Sequence, residues 1–290
     1  MKKLNNGSIK LAIQKNGRLT ESTVNLLISA GLEFESYQQQ LFSSCWNFPL
    51  NIVYLRDDDI PDYVESGAVD LGIVGENIII EQKNDVTKQL SLGYGFCSLC
   101  VAVPKESPIS SIDELTGKKI ATSYPESTKQ YLDKEKIKGE IVQINGSVEI
   151  APALQMADAI IDLVSSGSTL ALNDLKVIEK IYDSQAVLIG NRSISGNKKI
   201  LIQKLLTRIN GVLSARNYKY VMMNAPKSIL KSIQEIVPGL KSPTVSTLIT
   251  KGWISVQTVI KEDVFWETIE KLKLLGATGI LVLPVEKLIL

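Results

Sequence analysis

The chain has 290 residues and no histidine at all. That absence removes the commonest general base near neutral pH and the commonest zinc ligand. A Ser-His-Asp triad and a Cys-His dyad are both impossible. Any catalysis must draw on carboxylates, lysines, arginines, backbone dipoles or a hard metal ion. Cysteine is scarce too, with three residues, and the odd count argues against a disulfide framework. Two of them form "CSLC" (97–100) inside "FCSLCVAVP", which reads as a buried strand rather than a redox or metal motif. The chain has no excess of either charge, 32 basic against 31 acidic residues, so no overall field draws it to nucleic acid or a membrane. No apolar run reaches the roughly 18 residues of a membrane helix, and no signal-peptide pattern follows the two N-terminal lysines. These features fit a cytoplasmic protein.

What is present alternates between strand and helix patterns. "IKLAIQ" (9–14) has strand character, and the segment after it turns helical with Thr20 at its start. "NIVYL", a short helix opened by Asp59, and "VDLGIV" repeat the scheme. Such alternation predicts an α/β body with largely parallel sheets. A second α/β block begins near Leu92, including a helix over "IAPALQMA". The tail from Lys219 reads as an α+β module of ferredoxin-like order.

One stretch concentrates chemistry, "DAIIDLVSSGSTL" (Asp158 to Leu170). On a strand, Asp158 and Asp162 share a face, and buried acids are too costly to serve stability alone. They suit sugar hydroxyls or Mg²⁺. The loop that follows offers hydroxyls from Ser165, Ser166, Ser168 and Thr169, close backbone approach at Gly167, and the anion-favouring start of a helix. An acid pair beside an anion cradle fits a phosphorylated sugar. A solvated strand edge and an N-capped helix would read the same way.

This stretch resembles the phosphoribosyl diphosphate (PRPP) loop of the ATP phosphoribosyltransferases. The likeness extends back through "NGSVEIAPALQMADAIIDLVSSGSTL" and recurs in "QKNGRL" (14–19), "RDDDIP" (56–61), "DLGIVGEN" (70–77) and "KKIATSYP" (118–125). The tail blocks "YVMMNAP", "SPTVS" and "FWETIEKLKLLGA" are similar to the regulatory module of the family's long form. The resemblance implies an α/β fold: a two-lobed, type II periplasmic-binding-protein-like catalytic body plus a C-terminal ferredoxin-like (ACT-like) regulatory domain. Lobe I would span 1–94 and 191–217, lobe II 95–190, and the histidine-sensing domain 218–290.

The implied reaction joins N1 of ATP to C1 of PRPP, releases pyrophosphate, requires Mg²⁺ and opens histidine biosynthesis, with histidine as feedback inhibitor. Lys15, Arg18, Arg56 and Glu149 are the implied catalytic residues. Asp158, Asp162 and Ser165 to Thr169 would hold PRPP, and Gln14, Gly17, Glu76 and Tyr124 would line the ATP site. Glu149 and Asp158 are the candidate Mg²⁺ ligands. Asn224, Leu240, Thr244 and Gly279 fall in the implied histidine pocket, where Asn224 replaces an acid that some members carry. A homo-oligomer, dimer or hexamer, is the family expectation. The competing reading is a ligand-binding protein on the same two-lobed body, which would not require the acid pair with "SSGST".

Overall fold

The computed structural model describes residues 7–35, 41–165, 167–194 and 196–290, with the backbone alone at Thr169. The chain forms two compact units: Met1–Asn25 with Leu32–Ile202, and Leu26–Gly31 with Gln203–Leu290.

The body begins with β1 (Ile9–Gln14), α1 (Thr20–Ser29), β2 (Phe42–Ser44), β3 (Leu50–Leu55), α2 (Ile60–Glu65), β4 (Leu71–Gly75), α3 (Glu76–Gln82) and β5 (Thr87–Ser91). It continues with β6 (Cys97–Pro104), β7 (Lys119–Thr122), α4 (Pro125–Glu135), β8 (Glu140–Gln143), β9 (Ala159–Val164), α5 (Ser168–Leu172), β10 (Leu175–Ser184), β11 (Ala186–Gly190) and the start of α6 (Asn197–Ala215), whose greater part belongs to the second unit.

Two sheets result, in the orders β2-β3-β1-β4-β11-β5 and β10-β6-β9-β7-β8. They share one plan. Three parallel strands, β3-β1-β4 and β8-β7-β9, are followed by an antiparallel strand, β11 or β6, and then by an edge strand. Each antiparallel strand reaches its sheet by crossing from the other lobe. This is the two-lobed arrangement of type II periplasmic binding proteins. The crossings lie between Ser91 and Cys97 and between Ser184 and Ala186. The return therefore comes earlier than the expected boundary at residue 190, because β11 hydrogen-bonds to β4 and β5 in the first sheet.

Apolar residues cover the sheets on both faces, as parallel strands demand. In β9, Ala159 and Ile161 join the cluster of Leu99, Val101, Leu115 and Leu132. Ile160 points the other way, into Ala121, Val148 and Leu170. Each fully buried valine, leucine or isoleucine among them contributes roughly 1.5–3 kcal/mol. Burial on both faces fixes the register of β9, and with it the position of every side chain at its end.

The second unit carries β12 (Tyr218–Pro226), α7 (Leu230–Ile236), β13 (Thr244–Thr247), β14 (Trp253–Lys261), α8 (Phe265–Leu274) and β15 (Thr278–Pro284). Its sheet order β13-β14-β12-β15 is ferredoxin-like. Val221, Met223, Ile254, Val256, Ile233 and Leu272 form its core.

Two expected elements differ. The helix expected over "IAPALQMA" is a 3₁₀ turn at Val148–Ile150 followed by further turns, with Gln155 at a positive φ of 58°. Asp59 precedes α2 as expected, yet its side chain makes no capping bond, because Asp57–Asp59 is itself a 3₁₀ turn.

Candidate functional site

Parallel α/β sheets expose their ligands' contact groups beyond the carboxyl ends of the strands. In the first sheet, Lys15 follows β1 and Arg56 follows β3, with Lys15 N–H donating to Leu55 O at 2.8 Å. The loop between β1 and α1 is held by Gln14. Its amide nitrogen donates to Asp57 Oδ2 at 2.9 Å, and its amide oxygen accepts from Leu19 N–H at 3.0 Å. Gln14 is buried, so both its polar atoms serve the loop rather than a ligand. Gly17 sits at φ +150°, and a Cβ there would lie 2.3 Å from Gln14 Nε2. Only glycine lets this loop close over Gln14. Arg18, exposed on the same loop, donates from Nη2 to Cys97 Sγ at 3.3 Å, where the chain first crosses into the second lobe. Among the described residues none of Lys15, Arg18 and Arg56 is committed to an ion pair. Three unpaired cations therefore flank one strand-end region.

In the second sheet, Asp162 lies near the carboxyl end of β9. Its Oδ1 accepts from Leu163 N–H at 2.8 Å. Burial, helped by the charge of nearby Glu149, pushes its carboxyl up to about 6 against that hydrogen bond. Tyr124, at the start of α4, is raised by burial and then by Asp162, Cys97, Tyr182 and Asp58. Glu149 and Tyr124 are thus within electrostatic reach of Asp162. Asp58 of the first lobe is within electrostatic reach of Tyr124, and burial and its neighbours Asp57 and Asp59 raise it in turn. After β9 the chain turns through Gly167, at φ +73° with open space where a side chain would stand. A cavity of ≈ 320 Å³ opens beside this turn, lined by Ser165, Val164, Cys97, Ser98, Asp183 and Ser184. Ser98 Oγ donates to Asp183 Oδ1 at 2.6 Å across its floor. Ser165 and Ser168 are exposed. Ser166 and the Thr169 side chain lie outside the described residues.

Asp158 does not join this group. Strand alternation does put it on the face of Asp162, but it precedes β9 and thus stands at the opposite end, about 13 Å away at ~3.3 Å per residue. Its Oδ2 accepts from Lys119 N–H at 2.9 Å at the amino end of β7. It lines a separate cavity with Lys118, Lys119 and Gln155. The expected roles of Asp158 toward PRPP and metal are corrected accordingly. Glu76, opening α3 after β4, accepts from Lys88 Nζ at 2.7 Å, so its carboxylate is already paired.

Among the described residues no group of three or more Cys, Asp or Glu side chains is arranged to hold a metal ion. Glu149 and Asp162 are the acids of the second lobe nearest the PRPP motif. That set fits a Mg²⁺ carried on substrate phosphates, which needs only one or two protein carboxylates.

In the second unit, Asn224 on β12 is half-buried and lies beside Gly279, whose Cβ would stand 3.3 Å from Asn224 Nδ2. Thr244 lies on β13, two strands from β12, hence about 10 Å across the sheet. Leu240 is exposed in the loop before β13. On one chain, only Asn224 and Gly279 are shown as neighbours among these four positions.

Sequence reasoning passed over Ser98 and Asp183, and it read Cys97 only as part of a buried strand. For Cys97 and Asp183 the missing signal was the place where the chain crosses between lobes, which composition does not mark.

The ATP phosphoribosyltransferase family model matches residues 56–211, and the model of the HisG C-terminal domain matches residues 215–287. The ATP phosphoribosyltransferase of Phocaeicola vulgatus is 49% identical over 282 residues, covering 97% of this chain and 100% of that protein. That of Cytophaga hutchinsonii is 46% identical, covering 97% and 98%. Among solved structures, the Thermotoga maritima ATP phosphoribosyl transferase (HisG:HisZ) complex contains a chain that matches with a TM-score of 0.63 at 25% identity, over 72% of this chain and 98% of that one. Fold, cleft and relatives define a transferase of pentosyl groups. The chain belongs to the ATP phosphoribosyltransferase family, whose enzymes carry out the first step of histidine biosynthesis.

Proposed function

We propose that the cleft between the two sheets binds PRPP and ATP and joins N1 of the adenine to C1 of the ribose as pyrophosphate departs. The observation that carries this reading is the contact of Arg18 with Cys97, which brings the cationic loop of the first lobe to the cavity beside the turn after β9. Asp162 accepts hydrogen bonds from the ribose hydroxyls. The turn through Ser165, Gly167 and Ser168 takes the 5-phosphate, with Ser166 and Thr169 completing the motif. Lys15, Arg18 and Arg56 meet the leaving pyrophosphate, where fixed cations stabilise the charge that develops as the C1–O bond breaks. Tyr124 lines the adenine side, while Gln14 and Gly17 act indirectly by shaping the cationic loop. No group needs to abstract a proton from N1, so a histidine-free site suffices; placement of two anionic substrates does most of the work. Mg²⁺, bound with the pyrophosphate, supplies further charge neutralisation, and Glu149 and Asp162 are the side chains that would share it.

The ferredoxin-like tail is proposed to sense histidine. On one chain, Thr244 stands about 10 Å across the sheet from Asn224, the neighbour of Gly279. A pocket shared between tails of two copies would unite them, which supports a homo-oligomer. The Thermotoga maritima enzyme is named as a complex with HisZ; a chain with its own tail is proposed to regulate itself without such a partner. Among the described residues no helix is long and apolar enough to cross a membrane, in keeping with the proposed cytoplasmic location. Near-ultraviolet absorbance of purified protein with ATP, PRPP, Mg²⁺ and pyrophosphatase tests both parts. A rise suppressed by histidine supports them, a rise indifferent to histidine removes the sensing role, and no rise removes the transfer.

A further inference from the structure

We propose that Glu81 and Lys83 form a clasp that closes the two lobes over the cleft, making them positioning residues for the transfer. Glu81 lies near the end of α3, in the lobe of the first sheet. Its two oxygens reach the start of α4 in the other lobe: Oε1 accepts from Glu126 N–H at 2.8 Å and Oε2 from Ser127 N–H at 2.9 Å. The first amides of a helix have no acceptor within it, and Tyr124, the residue at the cap of α4, provides no side-chain bond. The opposite lobe thus supplies the cap. A carboxylate taking two N–H groups at the positive end of a helix makes a charge-assisted contact stronger than an ordinary one. Two residues on, Lys83 forms an ion pair with the Glu126 side chain, so acid and base interleave across the gap.

The clasp sits where closure matters. Tyr124, immediately before α4, packs against the core of its own lobe and lies within electrostatic reach of Asp162 there and of Asp58 in the other lobe. The turn that Glu81 caps is the turn that presents Tyr124 to the cleft. Ser127 also accepts from Tyr182 O–H at 3.3 Å, which ties α4 to its own lobe. Opening the cleft by moving α4 away from α3 must break both Glu81 bonds and the Lys83 pair. Glu81 and Lys83 touch no substrate in this account; they act through the position of Tyr124.

The inference rests on the cleft as the substrate site, and two readouts on the full chain keep the two apart. The first is steady-state kinetics of Glu81→Ala, Glu81→Gln and Lys83→Ala. Loss of the clasp raises KM for PRPP and ATP in Glu81→Ala by roughly 2- to 30-fold, the span of one lost helix cap, with kcat within about twofold of wild type. Glu81→Gln, which keeps one acceptor, lies between. Lys83→Ala, half-exposed and safe for folding, gives a rise of at most about fivefold. The second readout is hydrogen exchange at the start of α4, which needs no turnover: Glu126 and Ser127 amides exchange faster in Glu81→Ala. Unchanged exchange overturns the proposal even if the enzyme proves to act on other substrates. Unchanged KM in all three variants overturns it too, leaving a cap with no part in closure. A KM below wild type also overturns it, since Glu81 would then be a plug in an anion site that substrate phosphate takes over.

Discussion

Replacing Asp162 by Asn should make the protein more stable and less active at the same time. The carboxyl is raised from 3.8 to about 6, chiefly by burial. The folded state therefore holds this proton to higher pH than the unfolded chain does. The contribution to stability is fully present below pH 3.8 and is lost as pH rises through 6. A difference of about two pKa units corresponds to roughly 3 kcal/mol as an upper bound, and partial exposure of the residue brings the expected figure to about 1–3 kcal/mol. Asn keeps an acceptor for Leu163 N–H and removes the charge. Thermal unfolding of the variant at pH 8 should thus rise by about 2–4 °C per kcal/mol, and the gain should shrink toward zero near pH 4. Turnover at pH 8 should fall at least tenfold through weaker PRPP use, as is common where a site holds a group that stability disfavours. A variant less stable than wild type at pH 8, or a gain equal at pH 4 and pH 8, would refute the burial argument.

Three further outcomes follow from the geometry. Gly17→Ala places a methyl against Gln14 at a φ that alanine resists, so it should cost about 1–3 kcal/mol and most of the activity, read by melting and by initial rates. Chelation with EDTA should abolish turnover yet leave the melting temperature unchanged, because the described residues hold no preformed three-ligand site; a large drop in melting temperature would reveal a structural metal. Asn224→Asp introduces a charge beside Gly279 that can meet an amino group, and should lower the histidine concentration for half-inhibition several-fold without changing the uninhibited rate. Equal inhibition curves would remove Asn224 from the pocket.

Much of the fold was legible because the signals are local. "IKLAIQ" and "AIIDLV" mark their strands by composition and by the turns that bound them, and "SSGST" marks the turn and helix start that follow. Short edge strands gave no such signal: β2, β5 and β13 have three to five residues with little apolar alternation, and pairing with neighbours defines them. "IAPALQMA" has helical spacing, but the backbone turns at Gln155 and the helix does not form.

The site shows the same division. The motif around Asp162 was readable because strand, loop and helix are contiguous. Period-two alternation told which face Asp158 shares but not which end of the sheet it occupies, so its assignment failed. The contacts of Arg18 with Cys97, and of Glu81 with the start of α4, depend on where the chain crosses between lobes. Local sequence carries no record of that.

The most direct test of the central claim is phosphorus NMR of the reaction mixture for wild type and Asp162→Asn, with PRPP and Mg²⁺, before and after ATP is added. The account predicts that the PRPP diphosphate signals convert to free pyrophosphate only once ATP is present, mole for mole with ATP consumed, and much more slowly in the variant. Pyrophosphate released without ATP, or wild-type conversion in Asp162→Asn, would contradict a transfer organised around this acid.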